Sequence, residues 1–382
     1  MPARTFDVEA PSGAVRLTVL EDATDLVDAW DALAADHAET VYANRRFMEP
    51  WARHVGSRAG LVPRYVLGER NGRAIAFIPL ALGREGGIPM LLALSDSHTN
   101  LNGGLFDPSW DVAPAALHAA LFELEPQAEG LWVCCVAAPE GRHPLLARPC
   151  PSVHDAYGGT FDGGFEGHLS RNNARRKRKK HRTAARKLDA AGAWSVRRVV
   201  DEAQALSLLD EAFGLFAERF GREGIADPFA EPGVRDWMAE MLSASLHDAR
   251  PAMALWTLEA DGVPVAIQAG GGAGGNFSLM FTVYRPGPLD PVGPGDFLLH
   301  EVIEAAAEAG YRSFDLGRGR EPYKTSWCDV TIPLHDVRVA RSARAKLYFA
   351  AHAGVATLKK RVRASDRLWD LAKGVRRRLP VA

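Results

Sequence analysis

A chain of 382 residues has room for two domains of ordinary size, each with its own core. With 47% hydrophobic and 24% charged residues it has the composition of a globular protein, and no apolar run reaches the roughly 18 residues of a membrane span. A net charge of −1, with four cysteines (Cys134, Cys135, Cys150, Cys328) that lack CxxC spacing, sets aside a wholly basic nucleic-acid binder, a disulfide scaffold and a thiolate zinc site.

The first residues, MPARTFDVEAPSGAV, lack the apolar segment of a secretory leader and the cysteines suit a reducing compartment, so the expected location is the cytoplasm; from the cysteine spacing no metal is expected. Residues 15–20 (VRLTVL) read as a strand, Asp22–His37 as an amphipathic helix and Arg46–Val55 as a second helix. Arg64–Arg70 and Ala74–Gly83 flank Asn71-Gly72, the strongest short hairpin signal. A strand over Met90–Ser95, a polar Gly-rich loop to Pro108, a helix over Pro114–Leu124 and a buried strand over Leu131–Ala138 follow. A basic helix is predicted from about Ser170 to Ala191, then strand Trp194–Val200 and helices Asp201–Phe220 and Val234–Asp248. Met253–Glu259 and Val263–Gly270 form a second hairpin about Asp261-Gly262.

The two hairpins resemble each other, ERNGRAIAFIPLALG (69–83) against EADGVPVAIQAGGGAG (259–274). In both halves a strand, a loop, a helix and a further strand come next. The pattern predicts a duplicated α/β unit with a mixed, mostly antiparallel sheet, divided in the Gly-rich stretch Gly158–Gly167. The expected domains are 1–160, 161–341 and a basic helical tail, 342–382, that follows strand Thr331–Ala340.

The near-neutral total hides two basic segments. Arg171–Lys187 has ten Lys or Arg in seventeen residues and no acid, and Lys359–Arg378 has nine against two Asp. These point to local anionic partners. The first has no interleaved aromatics and no nucleic-acid module around it, so nucleic acid is not the expected partner. It suits a phosphate-bearing acceptor or is a solvated face. The tail, basic and amphipathic with Trp369, suits an anionic inner-membrane surface. Its RASD (Arg363–Asp366), with Arg367, has the RxxD form of cyclic di-GMP sites.

Chemistry concentrates in Phe277–Asp329. A strand ends at Tyr284-Arg285, a Pro/Gly loop follows, a helix runs from about Gly295 to Gly310, and a strand carries Phe314-Asp315. A glycine loop opening a helix offers unpaired N–H groups and a dipole to a phosphate. This loop has neither GxGxxG nor GxxxxGK[ST], so neither a Rossmann nor a P-loop site is expected at it.

The succession Pro294-Gly295, Phe314-Asp315-Leu316-Gly317 and Tyr323-Lys324-x-x-Trp327 resembles the CelD/BcsL-type acetyltransferases of the GNAT superfamily, relatives in fold of the Fem-type peptidoglycan aminoacyltransferases. The resemblance covers roughly residues 160–345 and includes the basic helix; the first half matches in layout only. It implies tandem GNAT-like domains, each a mixed sheet flanked by helices, with acetyl-CoA as co-substrate. It implies that Tyr284, Arg285, Gly293, Gly295, Asp296 and Phe297 surround the coenzyme. By the same resemblance Asp315 is a base or orients the acceptor amine, Lys324 stabilises an oxyanion or grips a phosphate, and Tyr323 protonates the departing thiolate. Asp315 is equally readable as a buried carboxylate paired with Arg318 or Lys324. Gln268, Arg175, Arg219 and His98 are candidates for the acceptor side, as is Asp96 beside His98. Cys328 has no suitably spaced histidine to act as a nucleophile's base.

Three functions follow as expectations. The first is N-acetylation of an amino sugar of an exopolysaccharide or of its lipid-linked precursor. The second is Fem-like transfer from aminoacyl-tRNA to a cell-wall precursor. The third is a regulatory GNAT-fold protein without catalysis.

Overall fold

The computed structural model describes residues 3–95 and 98–363, with side chains as far as Gly354. The strands are β1 (Arg4–Val8), β2 (Val15–Leu20), β3 (Val62–Arg70), β4 (Arg73–Glu85), β5 (Ile88–Ala93), β6 (Leu105–Phe106), β7 (Gly130–Ala137), β8 (Ala156–Thr160), β9 (Trp194–Arg198), β10 (Ala254–Ala260), β11 (Val263–Ala273), β12 (Asn276–Tyr284), β13 (Ser313–Arg318), β14 (Val330–Ile332) and β15 (Leu334–Ala340). The helices are α1 (Val27–His37), α2 (Arg45–Trp51), α3 (Pro114–Leu124), α4 (Gly164–Arg171), α5 (Ala174–Ala191), α6 (Glu202–Glu223), α7 (Val234–Ser245), α8 (Pro294–Glu308), α9 (Pro322–Trp327) and α10 (Ala343–Arg363).

Both Asn-Gly and Asp-Gly turns close hairpins, with Asn71 and Asp261 at positive φ as a two-residue turn requires. Two sheets result. The first runs β1-β2-β3-β4-β5-β7-β15, with β6 on β4; the second runs β14-β8-β13-β12-β11-β10-β9. Each is antiparallel except for one parallel pair, β5 with β7 and β12 with β13. Two α/β units with mixed, mostly antiparallel sheets result, as the duplicated pattern implies.

The two units exchange strands. β8 follows β7 in the chain but joins the second sheet beside β13, and β15 returns to the first sheet beside β7. The single strand expected over Thr331–Ala340 is divided at Pro333, which has no N–H for a ladder, and its two parts lie in different sheets. The basic helix is likewise divided. α4 ends at Arg171, and Asn173 takes φ 62°, so α5 starts in a new direction.

One apolar cluster spans both units. Phe47 of α2 meets Trp237 of α7 edge to face, and the Trp237 indole N–H donates to the Phe47 carbonyl at 3.0 Å. A second cluster lies between α3 and the first sheet, and a third packs α4, α5 and α8 on the second sheet. No helix among the described residues is long and apolar enough to cross a membrane. Asp96, Asp366 and Arg367 and the side chain of Arg363 lie outside the described residues, and with them the RxxD expectation.

Candidate active site

The site is built where β12 and β13 part. Their parallel pairing covers only Asn276–Ser278 against Ser313–Asp315. Beyond it β12 runs on to Tyr284, held by β11 on one side and by no strand among the described residues on the other. A bulge at Met280 in the β11–β12 register bends the strand at the start of this free stretch. Backbone N–H and C=O groups along Met280–Tyr284 are therefore left facing a cleft, and such groups require partners. The cleft holds about 830 Å³. Its walls are apolar at Phe216, Met280 and Leu299, and cationic at the rim with Arg219 and Arg222 of α6.

The apex of the fork is pinned by Asp315. Its carboxylate is 2% exposed and accepts from Asn276 Nδ2 (2.8 Å), Ser278 Oγ (2.6 Å) and the Gly317 N–H (3.2 Å). Burial pushes its pKa up to about 6, against the opposing hydrogen bonds and the nearby Lys324 charge. Gly317 has φ 75°, and a Cβ there would lie 2.4 Å from Asn100 Nδ2. Asn100, from the first unit, thus fills the β13 bulge; it also donates to the Tyr42 hydroxyl at 2.6 Å.

Of the three expected catalytic residues, Tyr323 lines the cleft and the other two turn from it. Burial raises the Tyr323 pKa, so its phenol stays protonated and able to donate. Lys324 is buried, with Nζ on the Arg318 carbonyl at 2.6 Å and on Glu321 at 2.9 Å; it fastens α9 to β13. Burial pushes the Cys328 thiol up to about 12, which removes any thiolate nucleophile at neutral pH.

The start of α8 forms another wall. Gly293 takes φ 69° as N-cap, and its carbonyl accepts from the N–H groups of Asp296 and Phe297. The Phe297 N–H is thus taken up within the turn and is not offered to a coenzyme, contrary to its expected place around one. The Gly295 N–H is left with no partner among the described residues, and Gly295 packs where a Cβ would lie 3.3 Å from Thr282. Phe297 itself is core, stacked on His181 at 4.6 Å. Asp296 accepts from Trp327 Nε1 (3.0 Å) and Lys180 (2.8 Å). Although burial opposes it, these partners hold the Asp296 pKa below its ordinary value.

Gln268 is fully buried beneath this turn, not on an open acceptor wall. Its Nε2 donates to the Gly295 carbonyl at 2.9 Å, while its Oε1 and the Thr282 hydroxyl have no partner among the described residues. Tyr284 is exposed at the cleft mouth, and Arg285 pairs with Glu211 at 2.6 Å. Arg219 lines the cleft with Glu223 at 3.1 Å. His98 is a strut between units. Trp51 Nε1 donates to its Nδ1 at 3.2 Å, its Nε2 faces the Pro228 carbonyl at 3.1 Å, and it meets the Trp237 ring.

A second pocket, about 530 Å³, lies between α5 and the α8–α9 wall, sharing Asp296 and Pro322 with the cleft. Arg171, Arg176, Lys177 and Lys180 line it; Arg175 is exposed nearby. Lys177 is buried 3.7 Å over the Trp327 ring and donates to Ser326 at 3.1 Å; burial pulls its pKa down to about 8.

Sequence reasoning missed Glu321, the cleft carboxylate two positions from Tyr323, and the clamp of Asn276 and Ser278. Glu321 precedes Pro322 at the start of α9, an available signal for a helix cap; the clamp depends on strand register and has no local signal.

The first unit has its own fork between β5 and β7, but it is filled. Asn102 bridges to Val136 and its N–H bonds the Cys135 carbonyl at 3.0 Å, while β6 pairs with β4.

Residues 175–325 match the model of the family described as acetyltransferase (GNAT) domain. No curated protein matches the chain. Among solved structures it is similar to FemX (TM-score 0.58, 13% identity, 82% of this chain and 96% of that one). It is also similar to L-PGS from Bacillus licheniformis (0.53, 12%, 85% and 96%) and to a conserved protein of unknown function from Bacteroides thetaiotaomicron (0.57, 9%, 83% and 98%). At these identities the likeness is one of fold.

Proposed function

With a GNAT acetyltransferase domain in the second half of this acyltransferase, we propose that it transfers the acyl group of acyl-CoA, acetyl-CoA foremost, to an amine, with the donor in the β12–β13 fork. The observation that carries this reading is the free edge of β12 over Met280–Tyr284, opening on the α8 turn. The chain's own groups fit such a donor. The edge amides and carbonyls suit an amide-bearing arm. The Gly295 N–H, Arg219 and Arg222 suit its phosphates. Bound acyl-CoA supplies an activated thioester carbonyl.

Tyr323 and Glu321 both line the cleft; in this reading Tyr323 protonates the departing thiolate and Glu321 accepts the proton that the amine loses. Asp315 and Lys324 act as positioning residues, since one holds the fork apex and the other ties α9 to β13. Transfer then needs proximity and proton movement without a covalent enzyme intermediate. The basic pocket supports an acceptor that carries phosphate, in keeping with an amino sugar of an exopolysaccharide lipid-linked precursor.

The same pocket favours a second reading, in which α5 holds aminoacyl-tRNA, the Fem-like alternative. Binding and turnover with acetyl-CoA and with aminoacyl-tRNA separate the two. Saturable acetyl-CoA binding with amine-dependent release of free CoA supports the first; binding of charged tRNA alone, with salt-sensitive affinity, overturns it.

A further inference from the structure

Four cations line the basic pocket between α5 and the α8–α9 wall, and they are not equally engaged. Arg171 pairs with Asp329 at 2.7 Å and Lys180 with Asp296 at 2.8 Å. Arg176 and Lys177 make no ion pair among the described residues. Lys177 is 8% exposed. Its ammonium donates to Ser326 Oγ at 3.1 Å and lies over the face of Trp327, which leaves donor capacity towards the pocket. A buried charge without a counter-charge is costly and calls for an anion.

The start of α5 adds to this demand. Its first turn carries no acidic residue, and its N-cap, Asn173, makes no side-chain cap bond. The positive end of an 18-residue helix therefore opens on the pocket, whose wall includes Asn173.

Two unpaired cations call for two negative charges. Successive positions on a helix are turned roughly 100° apart, so Arg176 and Lys177 do not converge on a single phosphoryl group. A diphosphate diester carries one charge on each of two linked phosphoryl groups, which matches both the number and the spread. The cavity, about 530 Å³, has room for that linkage with a sugar attached. It meets the donor cleft at Asp296 and Pro322, so a linkage held here sets its sugar beside the donor.

We infer that the pocket holds a diphosphate linkage of the acyl acceptor, with Arg176 and Lys177 each taking one phosphoryl group. The assignment rests on the phosphate-bearing acceptor proposed above and names its linkage. Binding then carries a proton signature. Burial pulls the Lys177 pKa down to about 8, opposed by Asp296 and aided by Lys180 and Arg176. His168 of α4, His300 of α8 and Cys328 also face this ammonium. Burial holds both imidazoles at about 4 and the thiol at about 12, and Asp296 is held below its ordinary value, so none of these changes charge near pH 8. His181, bonded to Glu301, lines the same pocket. A bound dianion raises the Lys177 pKa, so binding at pH 8 takes up as much as about half a proton. At pH 6 Lys177 is already charged and takes up none.

The test titrates the full chain by calorimetry with dimethyl diphosphate, esterified once on each phosphorus, and with methyl phosphate. Both are doubly negative at pH 8, and buffers of different ionisation enthalpy report the proton. One site per chain is expected, at least about tenfold tighter for the diphosphate, with about half a proton taken up. Arg176→Gln, at an exposed side chain, is expected to weaken binding about tenfold. Lys177→Met, which keeps a chain over Trp327, is expected to weaken binding and to abolish the proton uptake. Should it fail to fold, Arg176→Gln and the wild-type proton uptake decide. Acetyl-CoA titrated into the same samples is expected to bind equally well with the diphosphate present. Loss of acetyl-CoA binding alone would remove the donor reading and leave this site standing. The inference is overturned by equal affinity for the two phosphates, by binding at pH 8 without proton uptake, by displacement of the diphosphate by acetyl-CoA, or by binding of charged tRNA with neither probe bound.

Discussion

Asp315, Tyr323 and Lys324 stand within ten positions of one another, yet only the phenol reaches the cleft. Replacing Tyr323 with Phe removes the proton donor and little packing. It is expected to lower kcat by roughly 10²-fold or more with an unchanged melting temperature, as read by steady-state kinetics and a thermal scan. Glu321→Gln is expected to fall similarly in kcat and to keep its affinity for the donor. Asp315 predicts a stability effect. Its folded pKa, about 6, lies above the unfolded value. The protonated form is therefore favoured by folding, and its contribution is fully present below about pH 4 and lost as pH rises through 6. The loss is of order 2–3 kcal/mol. Denaturant unfolding from pH 4 to 7 checks it: wild type is expected to lose stability relative to Asp315→Asn as pH rises. A constant difference would contradict the buried, proton-holding carboxylate.

The elements were legible in the sequence wherever their signals are local. The hairpins about Asn71-Gly72 and Asp261-Gly262 form as expected, and the helix predicted at about Gly295–Gly310 spans Pro294–Glu308. What could not be read is non-local. Hydrophobic alternation marks β15 as part of a strand without saying which sheet receives it, β8 lies partly in the Gly-rich stretch read as the division between units, and Pro333 acts as a crossing point only once both sheets exist. The same holds at the site. Of the succession Pro294-Gly295, Phe314-Asp315 and Tyr323-Lys324, Gly295 and Tyr323 line the cleft, whereas the inward turn of Lys324 depends on the Arg318 carbonyl, which the chain order leaves unspecified. The contact between units makes its own prediction. Gly317→Ala forces a Cβ into Asn100 at positive φ and is expected to cost more than about 1 kcal/mol. In a double-mutant cycle with Asn100→Ala part of that loss is expected to return, with a coupling of roughly 0.5–3 kcal/mol. Additive losses would show that the two residues do not meet.

At the scale of the whole molecule, two units of one architecture differ in what occupies their forks. In the first, Asn102 and β6 fill the space between β5 and β7; in the second, the edge of β12 stays free. The shared apolar cluster and the exchanged strands hold the two together, so the filled unit braces the open one through Asn100. The central claim is that the donor pairs with that free edge. Amide hydrogen exchange of the full chain, with and without saturating acetyl-CoA, tests it most directly. The account predicts new protection at Met280–Tyr284 and at Gly295, with β5 and β7 unchanged. Protection confined to α5 and the basic pocket, or none at all, would contradict it.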